Sequence, residues 1–453
     1  MKFSRPAAAT LAMASILALS ACESLPTLPG FGGNEKKDEL AAEEKAGRIT
    51  MVLDQERIAP SPTLTGVEIT LPEAKPIEDW TEAGSNPAKV AGHVVAAPNL
   101  DIAWRRSVGQ GSSRKSALLT PPVASATTIF TLDASQTVRA SRLENGAEVW
   151  TERLKAESKR DKSAIGGGLA VTGDTLVVAS GYGFVAALDA ATGEQKWRRE
   201  LGAPMTGSPT IDDGRIFVTS NNNEVFSLNL ADGETLWSDQ AIAESARVLG
   251  SSSVAAVEDF VIAPFSSGEV IAYLASNGRR LWTDALTQAG RFTPISEIND
   301  IGSRPVLGAG LVYASSQSGT TVAIDGRSGA RVWTQPVGST RAPALVGRFL
   351  FVLGTEGELA CLDAATGEAY WVTPLRQFQD EKNKKKRISY SAPIAASGRV
   401  IVVSSRGELL AFNPQDGKQS GSLKLGDTVY IEPIAAQGKL FVLTDDAKLI
   451  AID

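Results

Sequence analysis

The stretch LDAATGEQKW at residues 188–197 begins with a heptapeptide, LDAATGE, that recurs letter for letter at residues 362–368. Related stretches occur along the chain, each with a glycine and all but the last with a tryptophan four residues later. They are LENGAEVW (143–150), LNLADGETLW (228–237), LASNGRRLW (274–282), IDGRSGARVW (324–333), LDAATGEAYW (362–371) and FNPQDGKQSG (412–421). A similarity that returns every 38 to 51 residues indicates a repeat architecture.

Each stretch predicts a β-hairpin. An alternating strand such as VAALD (185–189) leads into a polar turn, where the glycine supplies the positive φ that residues with a Cβ disfavour. Another strand pair precedes each hairpin, as in SPTI (208–211) followed by RIFVT (215–219). Four short strands per repeat predict propeller blades, because solenoid coils are shorter and helical repeats would show a 3.6-residue periodicity that is absent here.

The blades number eight by this interpretation. Seven hairpins are explicit, and the chain ends in LIAID (449–453), a third strand without its partner. DIAWR (101–105) is a tryptophan strand without a hairpin before it, so the two ends together complete one more blade. We therefore predict an all-β fold: an eight-bladed β-propeller of four-stranded antiparallel blades over residues 100–453, closed by its N- and C-terminal strands. The tryptophans are expected to fill the seams between blades.

Composition excludes several kinds of site. The chain has 453 residues, a formal net charge of −6 and a pI of about 5.3, which gives no support to nucleic-acid binding. One histidine rules out a histidine-rich metal site, and any Ser-His-Asp triad would need His93, which we place outside the propeller and expect to be non-catalytic. Of the two cysteines, Cys361 lies in an apolar run and is predicted to be buried.

The N-terminus predicts export and a lipid anchor. Residues 1–21 have the charged start and the short apolar segment of a signal peptide. LSAC (19–22) resembles the lipobox of bacterial lipoproteins, in which the cysteine, here Cys22, is acylated; ordinary cleavage after Ala21 is the alternative. Glu23, rather than an aspartate, follows the cysteine, so by that resemblance the anchor lies in the outer membrane and the body in the periplasm. Residues 22–99 are interpreted as a tether and an extended arm.

The repeat motif resembles that of pyrroloquinoline-quinone-type propellers, over about residues 100–453. Two families share it. The quinoprotein dehydrogenases hold a quinone and a calcium ion on the propeller axis, commonly beside a disulfide of adjacent cysteines, and this chain has no such cysteine pair. Acidic residues near the turns, such as Asp189 and Glu194, are better explained as hairpin residues. The chain resembles the BamB family of outer-membrane lipoproteins more fully, in its lipobox, its expected periplasmic location and its eight blades.

That resemblance implies a partner and a docking rim. BamB proteins dock through loops on one rim onto the periplasmic domains of BamA, the barrel subunit, with an arginine and an acid in neighbouring blades. The matching residues here are Arg247 and Asp300, with Leu249 and Ile298 as apolar companions. Solvated rim charges without a partner are the alternative. The resemblance implies no catalytic, cofactor-binding or metal-binding residues.

Three functions remain open. The first is a non-enzymatic scaffold that helps BamA handle unfolded outer-membrane proteins, with exposed strand edges able to pair with extended chain. The second is a quinone-dependent dehydrogenase, and the third a propeller that binds a periplasmic polymer or an unrelated protein. The basic run at residues 382–387 could contact anionic lipid headgroups or an acidic partner, or could be a solvated loop.

Overall fold

The protein folds into eight antiparallel sheets, called blades 1 to 8 in chain order. The computed structural model describes residues 57–158, 164–205, 207–242, 252–286 and 300–453. Two strands precede them, β1 (His93–Val94) and β2 (Ile102–Ser107). Blades 1 to 4 are β3–β6 (Val123–Ala124, Thr128–Leu132, Thr137–Arg142, Glu148–Arg153), β7–β10 (Gly167–Thr172, Thr175–Ser180, Phe184–Asp189, Gln195–Glu200), β11–β14 (Thr210–Asp212, Arg215–Thr219, Glu224–Asn229, Thr235–Gln240) and β15–β18 (Ala255–Val257, Phe260–Pro264, Glu269–Leu274, Arg280–Ala285).

The second half of the ring repeats this plan. Blades 5 and 6 are β19–β22 (Val306–Gly308, Leu311–Ser315, Thr321–Asp325, Arg331–Gln335) and β23–β26 (Ala344–Val346, Phe349–Leu353, Glu358–Asp363, Ala369–Pro374). An inserted hairpin follows, β27–β28 (Phe378–Asp380, Lys385–Arg387). Blades 7 and 8 are β29–β32 (Ile394–Ala396, Arg399–Ser404, Glu408–Phe412, Gln419–Lys424) and β33–β35 (Ile434–Ala436, Lys439–Leu443, Lys448–Ile452) completed by β2. Consecutive first strands contact one another from β3 to β29, so the first strands form the inner ring. The predicted eight-bladed propeller is confirmed.

The repeated turn has the geometry expected from its sequence. Its glycine has φ between 66° and 79° in all seven hairpins. In blade 2 the Asp189 carboxylate accepts hydrogen bonds from the backbone N–H groups of Ala191 and Thr192 and from the Thr192 hydroxyl. These bonds satisfy backbone N–H groups of the turn and lower the pKa of Asp189. The acidic residue in this motif therefore serves the hairpin, as predicted.

The recurrent tryptophans join neighbouring blades. In blades 1 to 6 the indole on the last strand donates from Nε1 to a carbonyl in the hairpin of the next blade, at 2.8–3.0 Å. Trp333, only 8% exposed, donates to Ala364 in this way. A Cβ on Gly367 would lie 2.6 Å from the same indole ring, so the glycine is needed for the close approach as well as for its φ. The tryptophan of one repeat and the glycine of the next therefore form one contact between neighbouring blades.

The two chain ends close the ring. β2 pairs antiparallel with β35, with Trp104 opposite Ala451, as the sequence predicts. Beyond the strands, Asp101 and Asp453 exchange backbone hydrogen bonds of 2.8 and 3.0 Å. Blade 7 has Gly421 where the other hairpins have tryptophan, and the side chain of Leu100 lies beside it. The closing segment thus contributes apolar contact to this seam.

Few elements lie outside the blades. A 3-10 turn spans Pro62–Leu64, and β1 adds a parallel strand to the inner edge of blade 7. Cys361 is fully buried on the third strand of blade 6, as predicted, and its thiol is free. Within the part of the chain that the structure describes, no helix is both long and apolar enough to cross a membrane.

Candidate functional site

The arm at residues 57–99 contacts blades 6, 7 and 8 on one face of the propeller. This face, here called the hairpin face, carries the turns between first and second and between third and fourth strands. Ser61 and Thr63 donate to the Glu368 carboxylate in a blade 6 turn. His93 accepts from the backbone N–H of Gly398 through Nε2, so its Nδ1–H donates to Pro72 O at 2.7 Å. His93 therefore fastens the arm to blade 7.

From the hairpin face the arm runs across the inner ring. Its backbone pairs with first strands, or with the turns that end them, in six blades. The contacts are Ile77 with blade 8, Trp80 with blade 1, Thr81 and Glu82 with blade 2, Pro87 with blade 4, Ala88 with blade 5 and β1 with blade 7. These pairings satisfy inner-edge backbone groups that the four-stranded blades leave open. The arm therefore forms a plug at the centre of the ring.

The plug brings buried charges to the axis. Lys89, from the arm, forms an ion pair with Glu82 and donates to the Thr210 hydroxyl at 2.9 Å. Burial raises the pKa of Glu82 and lowers that of Lys89, while their mutual attraction opposes both shifts. Beside them, Arg304 of blade 5 reaches Glu432 of blade 8 at 2.7 Å. The Lys89–Thr210 hydrogen bond thus links the arm to blade 3, and the Arg304–Glu432 pair links blades 5 and 8.

Little space remains at the plug. The cavity between the arm and the first strands of blades 5 to 8 has a volume of about 30 Å³, against roughly 300–1,000 Å³ for typical small-molecule sites. Within the described ranges, no group of three or more histidine, cysteine, aspartate or glutamate residues could hold a metal ion. At this level the arm lies between the first strands, beside the Glu82–Lys89 and Arg304–Glu432 pairs.

The opposite face, here called the loop face, carries the connections from the last strand of one blade to the first strand of the next. Three of the four docking residues predicted from the sequence, Arg247, Leu249 and Ile298, lie outside the described residues. Asp300 is described and is only 5% exposed, and its carbonyl accepts from the Gln317 N–H at 3.1 Å. The docking role of these four residues therefore stays a prediction.

The basic run is the tip and second strand of the inserted hairpin β27–β28. Residues 382–387 are all exposed. The Arg387 guanidinium donates to Thr355 O in blade 6 and lies over the Phe378 ring, 6.0 Å from its centroid. The run is therefore a surface feature built on a defined hairpin beside blades 6 and 7.

Sequence reasoning did not identify the axial cluster. Glu82 and Lys89 lie in EDWTEAGSNPAKVAG (78–92), a polar stretch without strand periodicity, and their burial depends on the ring around them. Arg304 and Glu432 each precede a proline at the start of a first strand, and the same place in blade 6 holds Arg341-Ala-Pro. A charged residue close before the inner-strand proline was the available signal.

Glu358, near the loop face, is expected to make the stability of the protein depend on pH. Burial raises the pKa of this blade 6 carboxyl to about 7, and its Oε2 has no hydrogen-bond partner in the described part of the chain. The carboxyl is protonated in both folded and unfolded protein below pH 4.5, whereas above pH 7 the folded state holds an ionised buried group. Stability from this residue therefore falls as pH rises from about 4.5 to 7.

Glu358→Gln removes that cost. We expect it to raise the free energy of unfolding at pH 8 by about 1–3 kcal/mol, discounted for partial solvent exposure, and to have little effect at pH 4.5. Urea denaturation at the two pH values measures the difference. A gain of equal size at both would show that burial of the ionised carboxylate is not its cause.

Comparison with known proteins agrees with this architecture. The family model described as "Outer membrane protein assembly factor BamB" matches residues 95–373 and 377–453. The chain belongs to the BamB family. The BamB of Yersinia pestis is 24% identical over 319 residues, covering 70% of this chain and 79% of the relative. The crystal structure of BamB from Moraxella catarrhalis superposes with a TM-score of 0.64 at 20% identity, covering 76% of this chain and 98% of that one.

The fold alone does not separate this family from enzymes. A quinohemoprotein alcohol dehydrogenase from Comamonas testosteroni superposes with a TM-score of 0.62 at 12% identity, covering 81% of this chain and 76% of that one. A shared propeller supports many functions, so the distinction depends on the site. Here a BamB-family chain has its own arm at the axis, between the first strands of its blades.

Proposed function

We propose that this chain is a non-enzymatic scaffold of the outer-membrane protein assembly machinery. It is anchored by lipid at Cys22 on the periplasmic face of the outer membrane, after removal of residues 1–21. It docks onto the periplasmic domains of a BamA-type barrel subunit and aids the folding and insertion of β-barrel proteins. The observation that carries this proposal is the match to the BamB assembly-factor family across residues 95–373 and 377–453.

The geometry of the axis favours a scaffold over a quinone-dependent enzyme. Lys89 and Glu82 pair with each other, and the cavity beside them holds only about 30 Å³. A cofactor at this level would have to displace the arm and the hydrogen bonds that its backbone makes with the first strands. Partner recognition is therefore assigned to the outside of the ring.

Co-purification tests the proposal. The full-length protein, tagged at its C-terminus, is isolated from detergent-solubilised envelopes, and bound proteins are identified by mass spectrometry. We expect to recover the barrel subunit and its companions at near-stoichiometric yield. Their absence, with a polymer or an unrelated protein in their place, would favour the third function considered from the sequence.

Within this proposal Arg247 and the largely buried Asp300 are the charged docking residues, and Leu249 and Ile298 contribute apolar contact. Arg247→Glu is expected to weaken binding to the barrel subunit about tenfold or more, because interface arginines often carry a large share of binding energy. The measurement is surface plasmon resonance on the purified periplasmic domains. Arg279→Glu, the same charge change at an exposed hairpin-face arginine, is the control. Equal affinities for both variants would remove Arg247 from the interface.

A further inference from the structure

A second, larger cavity lies between blades 5, 6 and 7 toward the loop face. Its volume is about 300 Å³, and its walls come from the start of the first strand of blade 6, the turn at residues 353–357 and the base of the inserted hairpin. The polar side chains of its lining include Arg341, Gln317, Glu356, Gln377 and Arg387. Its lining residues differ from those of the cavity at the axial plug.

The decisive group in this cavity is Arg341. The Arg341 guanidinium lines the wall, and within the described chain it has no ion pair and no side-chain hydrogen bond; only its backbone bonds to the Ser339 hydroxyl. Burial lowers the pKa of Arg341, and attraction to Glu432 only partly opposes this. Arg341 is only partly buried and lines the cavity, and an arginine stays protonated in proteins. Its guanidinium can therefore donate to a ligand that enters the cavity.

The neighbouring groups favour a carboxylate. The Gln317 amide also lines the cavity, and its Oε1 has no hydrogen-bond partner, so the amide can turn its N–H donors inward. Arg387 uses one donor on Thr355 O, and the exposed Glu356 adds a negative charge at the wall. A single unpaired guanidinium, with Glu356 nearby, favours an anion of one negative charge. Arginine binds carboxylates through a bidentate pair of hydrogen bonds.

The surroundings favour a polypeptide as the source of that carboxylate. At about 300 Å³ the cavity is at the lower limit of small-molecule sites, enough for an acidic side chain with its flanking backbone. The exposed basic run at residues 382–387 adjoins it and would attract an acidic segment. We propose that this cavity is a binding site for an acidic side chain of a partner polypeptide, with Arg341 as its carboxylate ligand. The proposal rests on the cavity alone and does not depend on the barrel-assembly role.

Matched peptides test the site. The probes are acetyl-Ala-Glu-Ala-amide and acetyl-Ala-Gln-Ala-amide, which differ only in charge and hydrogen bonding, titrated against the full-length protein at constant ionic strength by ligand-observed NMR. We expect the glutamate peptide to bind saturably and at least about tenfold more tightly than the glutamine peptide. Arg341→Met should abolish that preference, whereas Arg279→Met, which removes an exposed arginine on the other face, should keep it.

Three results would overturn the proposal. The first is equal binding of the two peptides, or a preference that survives Arg341→Met. The second is inorganic phosphate competing more tightly than the glutamate peptide, which would reassign the site to a free anion. The third is a lower melting temperature of the Arg341→Met variant without ligand, which would show that the arginine stabilises the fold. Removal of an unpaired cation should leave the melting temperature unchanged or raise it.

Discussion

Lys89→Met is expected to lower the free energy of unfolding by about 3–5 kcal/mol, because it leaves the Glu82 carboxylate buried without its partner. Glu82 is 2% exposed and Lys89 4%, so water cannot replace the lost ion pair. Hydrogen bonds from the Ile211 backbone and the Thr210 side chain oppose the burial of the carboxylate less than Lys89 does, and the Thr210 hydroxyl also donates to Val254 O at 2.6 Å. Urea denaturation near pH 8 measures the loss.

A double variant separates charge from packing. Glu82→Leu combined with Lys89→Met replaces the ion pair by apolar groups of similar length, and we expect it to recover most or all of the stability. The loss in Lys89→Met should also shrink toward pH 4.5, where Glu82 becomes protonated in the unfolded state as well. A double variant as unstable as the single one would show that the axis needs the charges themselves.

Trp333→Ala is the second substitution with a large expected effect, a loss of about 3–5 kcal/mol. The indole is 8% exposed, packs against Gly367 and donates to Ala364 O at 2.9 Å, so truncation opens a cavity in the seam between blades 5 and 6. Chemical denaturation, followed by fluorescence of the remaining tryptophans, measures the change.

Two controls define that result. Trp333→Phe keeps most of the apolar volume and loses the N–H donor, so about 1–2 kcal/mol is expected. Val332→Ala changes the neighbouring residue on the same strand, which is 50% exposed, and should cost about 0.5 kcal/mol or less. If Trp333→Ala were no worse than Val332→Ala, the tryptophan would not hold the seam.

The fold was predictable because its signals are local and repeated. The glycine that needs a positive φ and the tryptophan four residues later recur in one hairpin after another, and together they define the blade and its seam. Even the ring closure could be read from two incomplete motifs, around Trp104 and residues 449–453. Local hairpin chemistry and β-sheet edges determine these features, and both are visible in a sequence.

The axial cluster and the Arg341 cavity were not predictable for the opposite reason. Glu82 meets Lys89 only because the arm turns within the ring, and Arg304 meets Glu432 across three blades. No periodicity links such residues, since their proximity is a property of the closed ring. A charged residue before an inner-strand proline, as at Arg341, marks a position near the axis without indicating whether it is paired.

The docking residues are predicted by the sequence less firmly than the blades but more firmly than the axial cluster. Arg247, Leu249, Ile298 and Asp300 follow from resemblance to the BamB family, and family membership is now shown for the chain as a whole. Sequence identity near 25% fixes the blades far better than the connections between them, because connections vary while the blade motif is constrained by packing. The individual residues therefore depend on the binding measurement proposed above.

The central claim is that the outside of the ring carries the function while the plugged axis serves the fold. The most direct test is co-purification of the barrel subunit with the Glu82→Leu, Lys89→Met double variant from detergent-solubilised envelopes, beside the unaltered protein. We expect equal recovery, because an apolar plug holds the ring as well as a charged one. Loss of the barrel subunit from a double variant that remains folded would contradict it, and would place function at the axis.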